Sequence, residues 1–267
     1  MKRRSTLLVS TLCFGFAFLY IPIIVMIAWS FNDSKLMSVW SGFSLRWYSA
    51  LWQNEQIIDG VLLSLRIAFV SATFATLLGT LAALAMTRAG RFRGRTVFSG
   101  MLAAPLVMPE VITGISLLML FVSLQELVGW PGGRGANTIT IAHITFSLAY
   151  VAILVQSRLA AMDQSMEEAA MDLGCSPMRV TFDITLPLIA PAMLSGWLLA
   201  FTLSLDDLVI ASFVSGPESS TLPMIIYSKV KLGITPDINA LATIIVGLVG
   251  AGVIVASIVM LRQQRKT

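Results

Sequence analysis

Long apolar runs separated by short polar intervals set the pattern of this chain. The runs occupy residues 7–30, 67–86, 97–124, 139–156, 186–214 and 240–261. Each is near or above the roughly 18–20 residues a helix needs to cross hydrocarbon. The pattern therefore predicts an all-α integral membrane protein with six transmembrane helices, a single membrane domain over residues 1–267. The run at 186–214 is long for one straight span, which points to a break within it.

The longest polar interval after the first loop is Asp163–Pro187, with carboxylates at Asp163, Glu167, Glu168, Asp172 and Asp183. Ser165 followed by Glu168 is a capping-box pair that predicts a short helix from about Met166. Gly174 is placed to end that helix in the left-handed conformation glycine adopts at little cost. Ser176-Pro177 then reads as the N-cap and first residue of a second short helix. Two short helices joined at a glycine elbow, between two spans, have the outline of a docking surface.

Composition agrees with the hydrophobic pattern. Soluble domains carry about 25% charged residues; this chain carries 12%, with 57% hydrophobic residues and a mean hydropathy of +0.85. Two cysteines, Cys13 in the first run and Cys175 in the elbow, make no disulfide framework. The first apolar run is too long for a cleavable signal peptide and lacks a small-residue cleavage pattern, so it reads as an uncleaved span.

The net charge of +4 reflects residues that set orientation rather than an anionic partner. With six spans both termini lie on one side. That side receives Lys2, Arg3, Arg4, Arg88, Arg91, Arg93, Arg95, Arg158, Arg179, Arg262, Arg265 and Lys266, and the other receives Lys35, Arg46, Arg134, Lys229 and Lys231. Arg66 sits at a span edge, where a long side chain can snorkel. The positive-inside rule then predicts cytoplasmic termini and a cytoplasmic Asp163–Pro187 loop. Trp29, Trp40, Trp47, Trp52, Trp130 and Tyr227 gather on the opposite face as an interfacial belt would.

Catalytic patterns are missing. There is one histidine, His143 in the fourth run, and no H-E-x-x-H or G-x-S-x-G motif. His143 is expected to pack with an interhelical hydrogen bond. No Gly-Lys pair exists, so there is no phosphate-binding P-loop, and ATP-driven transport would need another subunit. Ionisable groups at membrane depth are costly and usually face a bundle interior or a water-filled path. Glu110, after Pro105 and Pro109, and the adjacent pair Asp206 and Asp207 stand out. Two readings remain open for them: carboxylates that line a route for a cation, or a structurally bonded Glu110 with the Asp pair at the water interface. Adjacent residues lie about 100° apart on a helix, so the pair can share one site only where the helix breaks. The Gly-rich loop 129–135 reads as a connector without a role of its own.

The run Glu168-Ala169-Ala170, three residues, Gly174, nine residues, Ile184-Thr185-Leu186-Pro187 resembles the cytoplasmic "EAA" loop of binding-protein-dependent ABC importer permeases, with every fixed position filled. Phe43-Ser44-Leu45-Arg46-Trp47-Tyr48, Leu203-Ser204-Leu205-Asp206-Asp207, Ser215-Gly216-Pro217 and Thr235-Pro236-Asp237-Ile238-Asn239-Ala240 look like the subgroup that imports spermidine and putrescine. The pattern is most like the second permease of a putrescine importer. Cys175, where the family commonly has Ala, and Ala149, where relatives often carry Pro, depart from it.

The resemblance implies a type I ABC importer permease fold and no enzymatic activity in this chain. It implies an assembly with a second permease, two copies of an ABC ATPase that hold ATP and Mg, and a periplasmic or extracellular substrate-binding protein, in a lipid bilayer and without nucleic acid. It makes the elbow a coupling helix, with Glu168, Ala169, Ala170 and Gly174 at the ATPase contact and Glu167 and Asp172 adding polar contacts. A permease for another small solute and a stand-alone proton-coupled cation carrier are the rival functions.

Overall fold

Pro109 decides how the third apolar run folds. It has no N–H to give, and its ring clashes with the carbonyl four residues back. The residue before a proline is driven to extended backbone. Met108 accordingly takes φ −77° and ψ 135°, closing one helix through its N–H to the Ala104 carbonyl. A new helix begins at Glu110, so the predicted span 97–124 is two helices.

The computed structural model describes residues 6–35, 39–90, 92–233 and 235–264. Its helices are α1 (Thr6–Ser30), α2 (Arg46–Trp52), α3 (Glu55–Arg88), α4 (Arg95–Val107), α5 (Glu110–Val128), α6 (Ala136–Ala160), α7 (Ser165–Asp172), α8 (Pro177–Val180), α9 (Leu186–Asp206), α10 (Val209–Val214), α11 (Leu222–Leu232) and α12 (Pro236–Gln264). A π-helical turn, Thr181–Thr185, leads from α8 into α9. Five helical segments among the described residues are long and apolar enough to cross a membrane, and α12 carries the sixth predicted span. Lys2, Arg3, Arg4, Arg91, Arg265 and Lys266, which contribute to the orientation reading, lie outside the described residues.

Three other predicted spans change outline. The run at 67–86 belongs to a helix that starts at Glu55, because nothing between Glu55 and Arg66 stops it. The run at 186–214 breaks after Asp206. The run at 139–156 lies inside an uninterrupted α6, where Ala149 is buried and donates its N–H like any helical residue.

The chain forms two compact units, Met1–Ile58 with Ile226–Thr267, and Asp59–Ile225. In the first, α1 and α2 pack on α12. Asn32, fully buried, ties the following loop by donating to the Val39 carbonyl at 2.8 Å and accepting from the Ser41 N–H at 3.0 Å. Trp47 donates from Nε1 to the Asn32 carbonyl at 2.7 Å. Leu7, Phe14, Phe18 and Leu19 of α1 are all exposed. An apolar face of that extent suits lipid, not water.

The second unit is built on small residues. Ala68, Ala72, Ala75 and Ala83 are fully buried along α3. A Cβ at Gly79 would lie 2.9 Å from Val151 Cβ, and one at Gly196 would lie 3.1 Å from Val151 Cγ1. Val151 of α6 is thus clasped between α3 and α9, an approach that only glycine permits. A second apolar cluster joins Ile67, Phe121, Phe146, Ile210 and Val214, seating α10 against α5 and α6.

Candidate functional site

The polar loop starts with Asp163, whose Oδ1 accepts the Ser165 N–H at 3.0 Å. This Asx turn carries Ser165 into the helix as its first residue, so the predicted capping box does not form; the Glu167 and Glu168 N–H groups go to the Gln164 carbonyl instead. The hydrogen bonds from Ser165 hold the Asp163 carboxyl below the usual aspartate range. At the other end Gly174 has φ +90°. Its N–H reaches the Met171 carbonyl and the Cys175 N–H reaches that of Ala170, the paired bonds of a Schellman cap. Ser176 then caps α8 by accepting the Arg179 N–H, with Pro177 at the first helical position.

The short helix α7 has two faces. Glu168, Ala169 and Asp172 are exposed, as is Gly174 beyond them, and Leu173 at the elbow is 88% exposed. Ala170 is half-buried and Glu167 is buried, three residues apart on the opposite side. The Glu167 carboxylate receives the Arg88 guanidinium at 2.8 Å on one oxygen and the Thr185 hydroxyl at 2.7 Å on the other. The contact with Arg88 is an ion pair through Nε, and a different nitrogen, Nη2, donates to the Leu159 carbonyl at 3.4 Å. Glu167, expected to add a polar contact at the ATPase, is thus engaged within the chain itself. Adjacent residues on a helix diverge by about 100°, so Glu168 points out while Glu167 points in.

A second polar cluster sits where α9 ends. After 21 residues, ~31 Å at the helical rise, Asp207 turns extended with ψ 121°. Its carboxylate accepts the N–H groups of Ile210 at 3.2 Å and Ala211 at 2.7 Å, so Asp207 caps α10. The same carboxylate meets His143 Nε2 at 3.1 Å, His143 Nδ1 meets Ser204 Oγ at 2.6 Å, and Ser204 Oγ meets Ser71 Oγ at 3.1 Å. An ionised carboxylate only accepts, so Nε2 donates to it. In the neutral imidazole Nδ1 then accepts from Ser204, whose oxygen accepts from Ser71. Four side chains from α3, α6 and the α9 break thus form one directed chain with each group satisfied.

Ser204, His143 and Asp207 have the connectivity of a hydrolytic triad. Ser204 and His143 are both buried, however, so no ester or amide can reach the hydroxyl. The cluster binds helices together. Asp206, beside it, is exposed at the C-terminal end of α9, where the helix dipole adds partial negative charge. Glu110 is exposed at the first position of α5. No hydrogen bond or ion pair among the described residues joins Glu110 to Asp206 or Asp207.

The loop 129–135 also has a place. Gln125 Oε1 accepts the Gly132 N–H at 2.6 Å, and Arg134 donates to the Phe213 carbonyl at 3.3 Å. A Cβ at Gly216 would overlap the Arg134 carbonyl. Thr138 donates to the Val214 carbonyl at 2.7 Å, so this connector buttresses the end of α10.

The profile of the family described as "Binding-protein-dependent transport system inner membrane component" matches residues 75–267. The chain belongs to this family. The permease is 55% identical to the "Putrescine transport system permease protein PotI" of Escherichia coli, over 98% of this chain and 94% of the relative. It is 45% identical to the "Spermidine/putrescine transport system permease protein PotC" of the same organism, over 94% and 92%. Among solved structures it is similar to a bacterial ABC transporter that imports the acidic polysaccharide alginate, with TM-score 0.71 and 17% identity over 95% of this chain and 94% of the other. A bacterial alginate ABC transporter in complex with an alginate pentasaccharide-bound periplasmic protein gives TM-score 0.72 and 18% identity over 98% of this chain and 94% of the other. The fold is that of a type I ABC importer permease, in an inner-membrane protein.

Arg88, Thr185, Ser71 and Ser204 escape a reading of the permease's sequence as site residues. Each contact spans 18 to 133 positions along the chain. Thr185 and Ser204 lie within the family patterns quoted above; for Arg88 and Ser71 the signal is a charge or hydroxyl at the edge of, or within, an apolar run.

Proposed function

We propose that this permease carries the polyamine putrescine, or its analogue spermidine, across the bacterial cytoplasmic membrane, with a separate ATPase as the source of energy. The observation that carries the reading is the exposed face of α7 and its glycine elbow. Glu168, Ala169 and Asp172 stand on a helix that is anchored from behind, with small side chains that let a partner approach closely. The chain holds no nucleotide motif of its own, so ATP and Mg belong to two copies of that ATPase. The whole chain, residues 1–267, acts as one permease domain paired with a second permease, and a periplasmic binding protein delivers cargo. The termini and the 163–187 loop lie in the cytoplasm.

The cargo assignment is supported by the names of the two Escherichia coli relatives and by the acids at the helix breaks. In this reading Asp206 and the end of α9 offer negative charge to an ammonium group along the path. Asp207 acts behind it by holding the break, and Glu110 stands at the α4–α5 break.

The test is ATP-dependent uptake of radiolabelled putrescine by the complex reconstituted with its ATPase and binding protein in liposomes. Unlabelled spermidine should compete, whereas sugars and amino acids should not. Glu168→Lys should reduce stoichiometric co-purification of the ATPase and lower uptake by about tenfold or more, the equivalent of roughly 1.4 kcal/mol of docking energy. Unchanged association and uptake in Glu168→Lys would refute the docking assignment. Uptake that persists without the ATPase would refute the importer class.

A further inference from the structure

The inward face of α7 does something the outward face cannot. Glu167 is 8% exposed and Thr185 is 2% exposed, so their hydrogen bond is shielded from water. Arg88 closes α3 as its last residue, and its guanidinium reaches both Glu167 and the Leu159 carbonyl near the end of α6. Thr185 is the last residue before α9. The carboxylate therefore ties α7 to the end of α3 and the start of α9, and Arg88 extends the link to the end of α6. Breaking such a pair leaves an uncompensated buried charge, so it does not come apart as a surface ion pair does. Thr185 closes the π turn that leads from α8 into α9, so its bond to Glu167 fixes the point from which α9 starts.

We propose that Glu167 is a positioning residue for energy coupling. Its buried links to Arg88 and Thr185 make α7, the ends of α3 and α6, and the start of α9 move as one body. A displacement imposed on the exposed face of α7 then reaches three spans at once. The role is distinct from that of Glu168, which meets the partner. The proposal rests on the reading of α7 as the ATPase-docking helix.

The test uses the full complex in liposomes and measures three quantities for each variant: ATPase co-purification, ATP hydrolysis stimulated by the loaded binding protein, and putrescine imported per ATP hydrolysed. Glu167→Ala should leave association intact and hydrolysis running while cargo per ATP falls by about tenfold or more. Thr185→Val, nearly isosteric and missing only the hydroxyl, should keep normal assembly and lower cargo per ATP by about threefold, the effect of one interhelical hydrogen bond. A merely structural role would lower the amount of complex and leave the ratio unchanged. The proposal is overturned if Thr185→Val and any assembled Glu167→Ala complex keep the parental ratio, or if association falls in parallel with uptake. Failure of the docking reading shows up separately, as normal ATPase association in Glu168→Lys.

Discussion

Gly114 is where α10 leans on α5, and the contact there can be weighed. A methyl added at Gly114 would lie 2.6 Å from Phe213 Cδ2, 3.3 Å from Phe213 Cγ and 3.4 Å from Ile210 Cα. Carbon atoms in good contact sit about 3.5–4.0 Å apart, so in Gly114→Ala the ring must retreat by ~1 Å. Phe213 packs on the Ile67, Phe121 and Ile210 cluster, which leaves it little freedom. Overpacking of this kind costs about 1–3 kcal/mol. For a chain of this size each 1 kcal/mol lowers the melting midpoint by roughly 2–4 °C. Phe213→Ala alone, at a half-buried site, should cost ~2 kcal/mol, below the usual range for a fully buried ring.

The decisive variant carries both changes. Without the ring, the nearest neighbour of the new methyl is Ile210 Cα at 3.4 Å, an ordinary contact. The substitution also removes a helical glycine, worth about 1 kcal/mol. Gly114→Ala should therefore destabilise the parent yet leave the Phe213→Ala background unchanged or firmer, a coupling of more than ~1 kcal/mol. The assay is the apparent melting midpoint of the solubilised complex, followed by its size-exclusion peak. Additive losses in the double variant would refute the packing argument.

Two further outcomes follow from the same unit. His143→Leu removes both bonds of the imidazole and should lower the melting midpoint by the equivalent of about 1–2 kcal/mol; adding Ser204→Ala to it should cost little more, since the two act in one chain. Gly216→Ala pushes the Arg134 carbonyl off the 215–219 segment, so cleavage by trypsin after Arg134 should quicken by about tenfold for ~1.4 kcal/mol of local opening; an unchanged digestion rate would count against the buttress.

What was readable in the chain was what is local. Apolar run lengths located the spans, Gly174 and Ser176-Pro177 located the elbow, and the excess length of 186–214 located a break. Pro109 was visible too, although its full effect, two separate helices, needed the Met108 backbone. What depends on remote partners or on helix azimuth is not written in local sequence. Glu167 and Glu168 are neighbours in sequence and face opposite ways. The capping box lost to Asp163, two residues upstream, because two local signals competed for one N–H. Nothing along the chain foretold that Ser71 would meet Ser204, or that Asp207 would spend its carboxylate on α10 and His143 while Asp206 stays open.

The π turn at Thr181–Thr185 has a consequence for insertions and deletions. A π turn holds one residue more than the α-helical turn it replaces, and that residue rotates everything after it by about 100°. The stripe of α9 that faces inward, Ile189, Gly196, Ala200 and Ser204, takes its azimuth from that extra residue. Deleting one position between Thr181 and Asp183 would straighten the ladder and swing Ser204 away from His143, with no change in hydrophobicity. The interval between Gly174 and Pro187 is thus a phase setting for the helix beyond it, as sensitive to a change of one residue as a reading frame.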